Sequence, residues 1–196
     1  MEHQITAAIL AGGKNSRFGG EDKAFVKVEG TRMIDRILSR IESIFGKIVV
    51  VTNSPERYSN YKDLVITGDI YKDSGPLGGI HAGMEIAGTP FIFVFSCDMP
   101  FLDPVIIKDQ VDFFVKHDDI DALIPSIKSR IEPLHAIYRA GLAEELADFL
   151  ASSKDLAIRR FLENKRVVYY ELPAKPENIK AFVNINRPGD LRKIPE

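Results

Sequence analysis

Ile5-Thr6-Ala7-Ala8-Ile9-Leu10-Ala11-Gly12-Gly13-Lys14-Asn15-Ser16-Arg17-Phe18-Gly19-Gly20-Glu21-Asp22-Lys23 decides the fold. Its first six residues are apolar and partly β-branched, the composition of a buried parallel strand. Four glycines then fall within nine residues, among Lys14, Arg17 and Lys23. Glycine admits φ > 0 and lets backbone approach a ligand closely. Successive N–H groups of such a loop form an anion-binding concavity, and the cations add charge-assisted bonds to phosphate oxygens. A loop of this composition at the end of a first strand is either a flexible turn or a triphosphate cradle. Two better-known cradles are excluded by spacing. G-x-x-x-x-G-K-[ST] fails because Ala8 stands five before Gly13 and Asn15 follows Lys14, and G-x-G-x-x-G is absent.

Downstream, strands and helices alternate. Thr31 reads as the N-cap of a helix over 33–45, with Ile34, Ile37, Leu38, Ile41, Ile44 and Phe45 on one stripe and Gly46 as its C-cap. Ala24 to Val28 reads as a short strand, and Ile48 to Val51 and Leu64 to Ile66 as the next two. Pro55 opens a helix to about Tyr61. Gly75-Pro76-Leu77-Gly78-Gly79 reads as a second glycine-rich turn, with a helix from Ile80 to Ala87. Phe91 to Ser96 is the most hydrophobic strand, and Asp103 caps a helix to about Lys116. Ala122 to Pro125, Leu134 to Tyr138 and Val167 to Tyr170 are further strands. Gly141 to Leu150 and Asp155 to Glu163 are helices, Phe182 to Asn186 is extended, and a last helical turn starts at Arg187.

This order predicts an α/β fold of three layers: a mostly parallel sheet with helices on both faces and right-handed crossovers. Ligands of such sheets sit beyond the carboxyl ends of the strands. The polar loops 11–23, 52–55, 67–69 and 97–102 each follow a strand, so glycines, cations and carboxylates gather along one edge.

The 196 residues suit one domain, 1–196, with a full core. A net charge of −2 gives no reason to expect nucleic acid or an anionic membrane as partner. The lone Cys97 excludes an internal disulfide. No stretch approaches the roughly 18 apolar residues of a membrane span. Met1-Glu2-His3-Gln4 lacks the features of a secretory signal, so a cytoplasmic location is expected.

Asp98, at the end of the most hydrophobic strand, is either a turn aspartate or a Mg²⁺ ligand, since Mg²⁺ is held by one or two carboxylates plus substrate phosphates. Arg17 and Lys23 inside the first loop are placed to neutralise a triphosphate and its transition state. Asp69 and the Thr52-Asn53 pair either form Asx-type turns or hydrogen-bond a base. A carboxylate can accept from both the ring N–H and the amino group of guanine. Gly78, in the second glycine-rich stretch, brings backbone close to a nucleotide or merely forms a tight turn. His3, His81, His117 and His135 show no zinc-ligand spacing. Cys97 reads as a small buried hydrophobe.

Leu10–Lys23 is similar to the opening motif L-A-G-G-x-S-x-R-M-G-x-D-K of the molybdenum cofactor guanylyltransferase family, with Phe18 at the usual Met and Ser16 offset by one. Gly75–Gly79 resembles its G-P-L-x-G stretch and Ser96-Cys97-Asp98-Met99-Pro100 its C-D-M/T-P motif. Phe182 to Pro188 resembles its F-x-N-x-N-T-P, with Arg187 for Thr. Glu132-Pro133-Leu134 matches a later turn where His-Pro is common, so Glu132 is a departure. The resemblance implies a Rossmann-like fold of the nucleotide-diphospho-sugar transferase type and Mg²⁺-dependent transfer of GMP from GTP to molybdopterin. It implies nucleotide contacts from Leu10, Ala11, Gly12, Gly13, Lys23, Asp69, Gly78 and Asp98, with Thr52 or Asn53 on the guanine. Arg17, Lys23 and Asp98 would be catalytic, Asp98 the metal ligand, and Asn184 and Asn186 would face the pterin. The resemblance also suggests transient contact with molybdoenzymes or their chaperones. Cytidylyltransferases of the same cofactor differ in reading A-A-G and G-D-Q-P. A sugar-phosphate nucleotidyltransferase would also use a glycine-rich loop, and a non-catalytic nucleotide-binding module would need no more than the cradle.

Overall fold

The structure is a computed structural model that describes residues 4–12, 22–117, 119–186 and 190. Strand β1 (Ile5–Leu10) lies inside the sheet and is buried along its whole length. Parallel β4 (Ile48–Val51) and β6 (Phe91–Ser96) flank it, pairing Leu10 with Val51 and with Ser96. With β5 (Val65–Thr67), β7 (Ala122–Ile127), β9 (His135–Arg139) and β10 (Val167–Glu171), the sheet runs β10-β7-β9-β6-β1-β4-β5. β9 is antiparallel to both β6 and β7, so the sheet is mixed but mostly parallel. The short β8 (Arg130–Ile131) forms a hairpin with β7 through Lys128 and Ser129, both at positive φ.

Alternation along the strands builds two cores. Ile5, Ala7 and Ile9 of β1 and Phe91, Phe93 and Phe95 of β6 face α1 (Met33–Ile41) and α3 (Pro104–Val115). Leu10, Val49, Val51, Ile92 and Val94 face α2 (Gly75–Ala87), α4 (Ala143–Ser152) and α5 (Ile158–Leu162). The expected three layers are therefore present, held by near-complete burial of aliphatic and aromatic side chains on both sheet faces. Asp103 caps α3 as expected, accepting from the Val105 N–H at 2.8 Å.

Several local expectations are corrected. Thr31 is no N-cap: it pairs with Val28 in a small hairpin of β2 (Lys27–Val28) and β3 (Thr31–Arg32), and α1 begins at Met33. That helix stops at Ile41, so Gly46 is not its C-cap, although Ile44 and Phe45 still pack into the core. The segment opened by Pro55 is a 3₁₀ turn, Pro55–Tyr58. The second glycine-rich stretch is not a turn but the start of α2, where Pro76 lies in the first turn and loses no hydrogen bond for its missing N–H. Before the extended segment at Phe182 comes an unanticipated helix, α6 (Pro176–Ala181).

Candidate active site

The carboxyl ends of β1, β4, β5 and β6 meet at one edge, and backbone bonds fix the meeting. The Ala11 N–H donates to Val51 O at 2.9 Å and the Cys97 N–H to Leu10 O at 3.1 Å. These bonds carry the ladder of the sheet one residue beyond each strand, so the loops leave from a rigid base. Between them lies a cavity of about 650 Å³ lined by Leu10, Gly12, Asn53, Asp69, Gly79 and Ser96, among others. In it Asn53 Nδ2 donates to Asp69 Oδ2 at 3.2 Å. A Cβ on Gly12 would stand 3.7 Å from Asp69 Oδ2 and 3.8 Å from Asn53 Nδ2, so the backbone at Gly12 lies against this pair.

Thr52 and Asn53 part company here. Thr52 is buried and its Oγ1 accepts from the Ser54 N–H at 3.1 Å, shaping the turn. Asn53 faces the cavity. Gly78 and Gly79 divide likewise. A Cβ on Gly78 would sit 2.8 Å from the Tyr71 carbonyl oxygen, so this glycine serves close packing of α2 on the preceding loop. Gly79 lines the cavity beside Leu10 and Asp69. Adjacent glycines are indistinguishable by composition, and only their neighbours in space separate the two.

A second group stands at the end of β6. Lys23 Nζ lies 2.7 Å from Asp98 Oδ2 and donates to Asn186 Oδ1, also at 2.7 Å. Ser96 Oγ donates to Asp98 Oδ1 at 2.6 Å. Residues 75 and 163 positions away in sequence thus share one ammonium group. Asp22 orients it: its buried carboxylate accepts from the Ala24 N–H at 3.1 Å and caps the 3₁₀ turn that carries Lys23. Burial pushes the Asp22 carboxyl up. The Ile185 N–H donates to the Asp98 carbonyl at 2.8 Å, which brings the late extended segment to the same point. Ser96, quoted only as part of a motif, is the member of this group that sequence reasoning missed. Its signal was the Ser-x-Asp spacing at a strand end. Arg17 and Gly13, with Lys14, lie outside the described residues.

Beyond Asn186 opens a second cavity, of about 820 Å³, with Ser126, Arg130, Glu132, Phe182 and Asn184 also on its wall. Both predicted asparagines, Asn184 and Asn186, line it. Burial raises the Glu132 carboxyl above the usual range, although it accepts from the Leu134 N–H and from the Asn184 side chain.

Cys97 and His135 stay out of this chemistry. Cys97 is buried and its thiol is pushed up to about 12 by burial. His135 is fully buried and held down at about 3 by desolvation, edge-on to Phe93, Phe95 and Phe182. Among the described residues no group of three or more His, Cys, Asp or Glu could hold a metal by itself. A single strand-end carboxylate that already draws a cation, Asp98, instead fits a hard divalent ion shared with phosphate oxygens. No helix among the described residues is long and apolar enough to cross a membrane.

A family model described as the MobA-like NTP transferase domain matches residues 7–168. A probable molybdenum cofactor guanylyltransferase of Peptoclostridium acidaminophilum is 37% identical, over 96% of this chain and 87% of its own. A molybdenum cofactor guanylyltransferase of Desulfosudis oleivorans is 34% identical, over 96% and 93%. The crystal structure of molybdopterin-guanine dinucleotide biosynthesis protein A from Archaeoglobus fulgidus superposes with a TM-score of 0.79 at 29% identity, covering 97% of this chain and 96% of that one.

Proposed function

The chain belongs to the molybdenum cofactor guanylyltransferase family, a family of nucleotidyltransferases, and from that premise we propose that it transfers GMP from GTP to molybdopterin with Mg²⁺. The products are the guanine dinucleotide form of the cofactor and pyrophosphate. One observation carries the reading: the line Ser96–Asp98–Lys23–Asn186 joins two cavities, one of about 650 Å³ and one of about 820 Å³. A transferase with two substrates needs two sites that meet at the reacting atoms, and the shared ammonium group of Lys23 stands at that seam.

In this reading GTP fills the smaller cavity. Asp69, steadied by Asn53, accepts from the N–H and amino group of guanine, and the backbone of Leu10, Ala11 and Gly12 follows the nucleotide. Lys23 turns its charge toward the phosphates. Asp98 holds the Mg²⁺; bound there, the ion supplies charge neutralisation at the phosphates. The acceptor lies in the larger cavity with its phosphate at Lys23 and its ring system between Asn184 and Asn186. A phosphate oxygen of the acceptor attacks the α-phosphorus in line, the α–β bridging bond breaks, and pyrophosphate leaves. The nucleophile is already an anion, so no side chain has to remove a proton from it. Catalysis is positioning and charge stabilisation.

The test is pyrophosphate release with GTP, Mg²⁺ and molybdopterin, beside thermal unfolding with each nucleoside triphosphate. Ligand at about 100 times its Kd adds roughly 2.7 kcal/mol, and each kcal/mol raises the Tm of a chain this size by about 2–4 °C. GTP alone should give that rise. A rise with CTP alone would make the chain a cytidylyltransferase, and binding without pyrophosphate release would leave only a nucleotide-binding module.

A further inference from the structure

Glu132 takes no part in that reaction, yet it is a half-buried carboxylate on the wall of the larger cavity. Among the described residues no Lys or Arg forms an ion pair with it, and Arg130 acts on it only through space. Its backbone is fixed on both sides: the Glu132 N–H donates to Pro125 O at 3.0 Å, and the His135 N–H donates to Glu132 O at 3.1 Å. Its carboxylate faces the Leu134 N–H and the Asn184 side chain, both of which favour its charged form. Ile127, Ile179 and Phe182 give the same wall apolar surface, between the polar Ser126 and Asn184 and the cations Lys128 and Arg130. A carboxylate without an ion-paired cation, beside the flat ring of Phe182, suits a planar ligand that brings its own N–H donors. An anionic group of the same ligand has Lys23 to go to, which donates to Asn186 on this wall.

We propose that Glu132 is the specificity residue for the acceptor, accepting in bidentate fashion from the ring N–H and exocyclic amino group of its aminopyrimidinone ring. This rests on the reading that the acceptor is a pterin. Guanine and pterin share that edge, so the two cavities would hold one carboxylate reader each, Asp69 for the nucleotide and Glu132 for the acceptor. Asn184 holds the Glu132 carboxylate in place and adds its own amide to the ring.

The experiment titrates the protein at pH 7 with pterin and with lumazine, the same bicycle carrying an oxo group in place of the 2-amino group, and follows their fluorescence. The wild-type chain should bind pterin about 10- to 100-fold more tightly than lumazine, the range for a hydrogen bond to a charged group. Glu132→Gln, which keeps the shape and one acceptor, and Glu132→His should lose most of that preference. Both should keep the thermal shift with Mg²⁺ and GTP, which also reports that they fold. Equal affinity of the wild-type chain for the two compounds, or an unchanged preference in both variants, overturns the assignment while leaving the pterin acceptor standing. Failure of the wild-type chain to bind either compound overturns both.

Discussion

Lys23 Nζ and Asp98 Oδ2 are 2.7 Å apart, with both side chains less than one-fifth exposed. The ion that would neutralise a triphosphate therefore starts out neutralising the carboxylate that would hold its metal. On the proposed reading, loading the site would require an exchange: Asp98 would give up an ammonium group for a divalent cation as Lys23 turned to the phosphates. Metal and nucleotide should for that reason bind better together than apart.

Lys23→Met tests the exchange. With the internal cation gone, Mn²⁺ followed by electron paramagnetic resonance without nucleotide should bind at least about tenfold more tightly than to the wild-type chain, given the strength of close charge pairs. GTP should bind more weakly to the same variant. Asp98→Asn should lose pyrophosphate release by about 10²–10³-fold or more. It stays folded, because Lys23 keeps Asn186. Mn²⁺ affinity unchanged by Lys23→Met would contradict the exchange.

Asp69→Asn should relax the choice of base. Losing the acceptor for two guanine donors costs about 1.5–3 kcal/mol, so the preference for GTP over ATP in thermal shift should fall by about tenfold to a hundredfold. Asn53 donates to the same carboxylate at 3.2 Å, so Asn53→Ala should lower GTP affinity less and leave the preference largely in place. Competition binding with the two nucleotides measures both.

Gly78→Ala and Gly79→Ala should fail differently. At Gly78 a methyl group meets the Tyr71 carbonyl at 2.8 Å, a backbone atom that cannot step aside. Overpacking of this kind costs about 1–3 kcal/mol, a Tm loss of roughly 2–12 °C for this size of chain. At Gly79 the nearest atom is the flexible end of Leu10, at 3.1 Å, with Asp69 Oδ1 at 3.7 Å. That variant should keep its Tm more nearly and lose GTP affinity. Differential scanning calorimetry with and without GTP separates the two.

These glycines also mark what a sequence reveals. Strands β1, β4 and β6 were legible to the residue, because a buried parallel strand is an unbroken run of apolar residues and little else looks like it. The loops that follow them were legible as a set, because strand ends share an edge. The start of α2 was not. Gly75 to Gly79 reads as a turn by composition, and only the nearness of the Tyr71 carbonyl and of Leu10 explains why a helix carries glycine at 78 and 79. Thr52 against Asn53 could not be decided either, since one step of backbone chooses which side chain faces the cavity. The link between Lys23 and Asn186 spans 163 positions and is set by tertiary packing alone.

His135 makes stability depend on pH. Buried among Phe93, Phe95 and Phe182, it is held at about 3, below its ordinary 6.5, because desolvation penalises the charged ring. Between those two values the unfolded chain binds a proton that the folded chain does not, so stability rises with pH through this window and is lost as pH falls below 6.5. The slope is about 1.4 kcal/mol per pH unit at its steepest, or about 2 kcal/mol lost by pH 5. His135→Leu keeps the volume and removes the titration. Urea unfolding of both proteins at about pH 7.5 and about pH 5 should show the wild-type chain losing about 2 kcal/mol more than the variant. Comparing the two cancels groups that titrate in both, among them Glu132, whose raised carboxyl acts in the opposite direction. Equal losses would mean that His135 is protonated in the folded chain and that the aromatic cage does not exclude its charge.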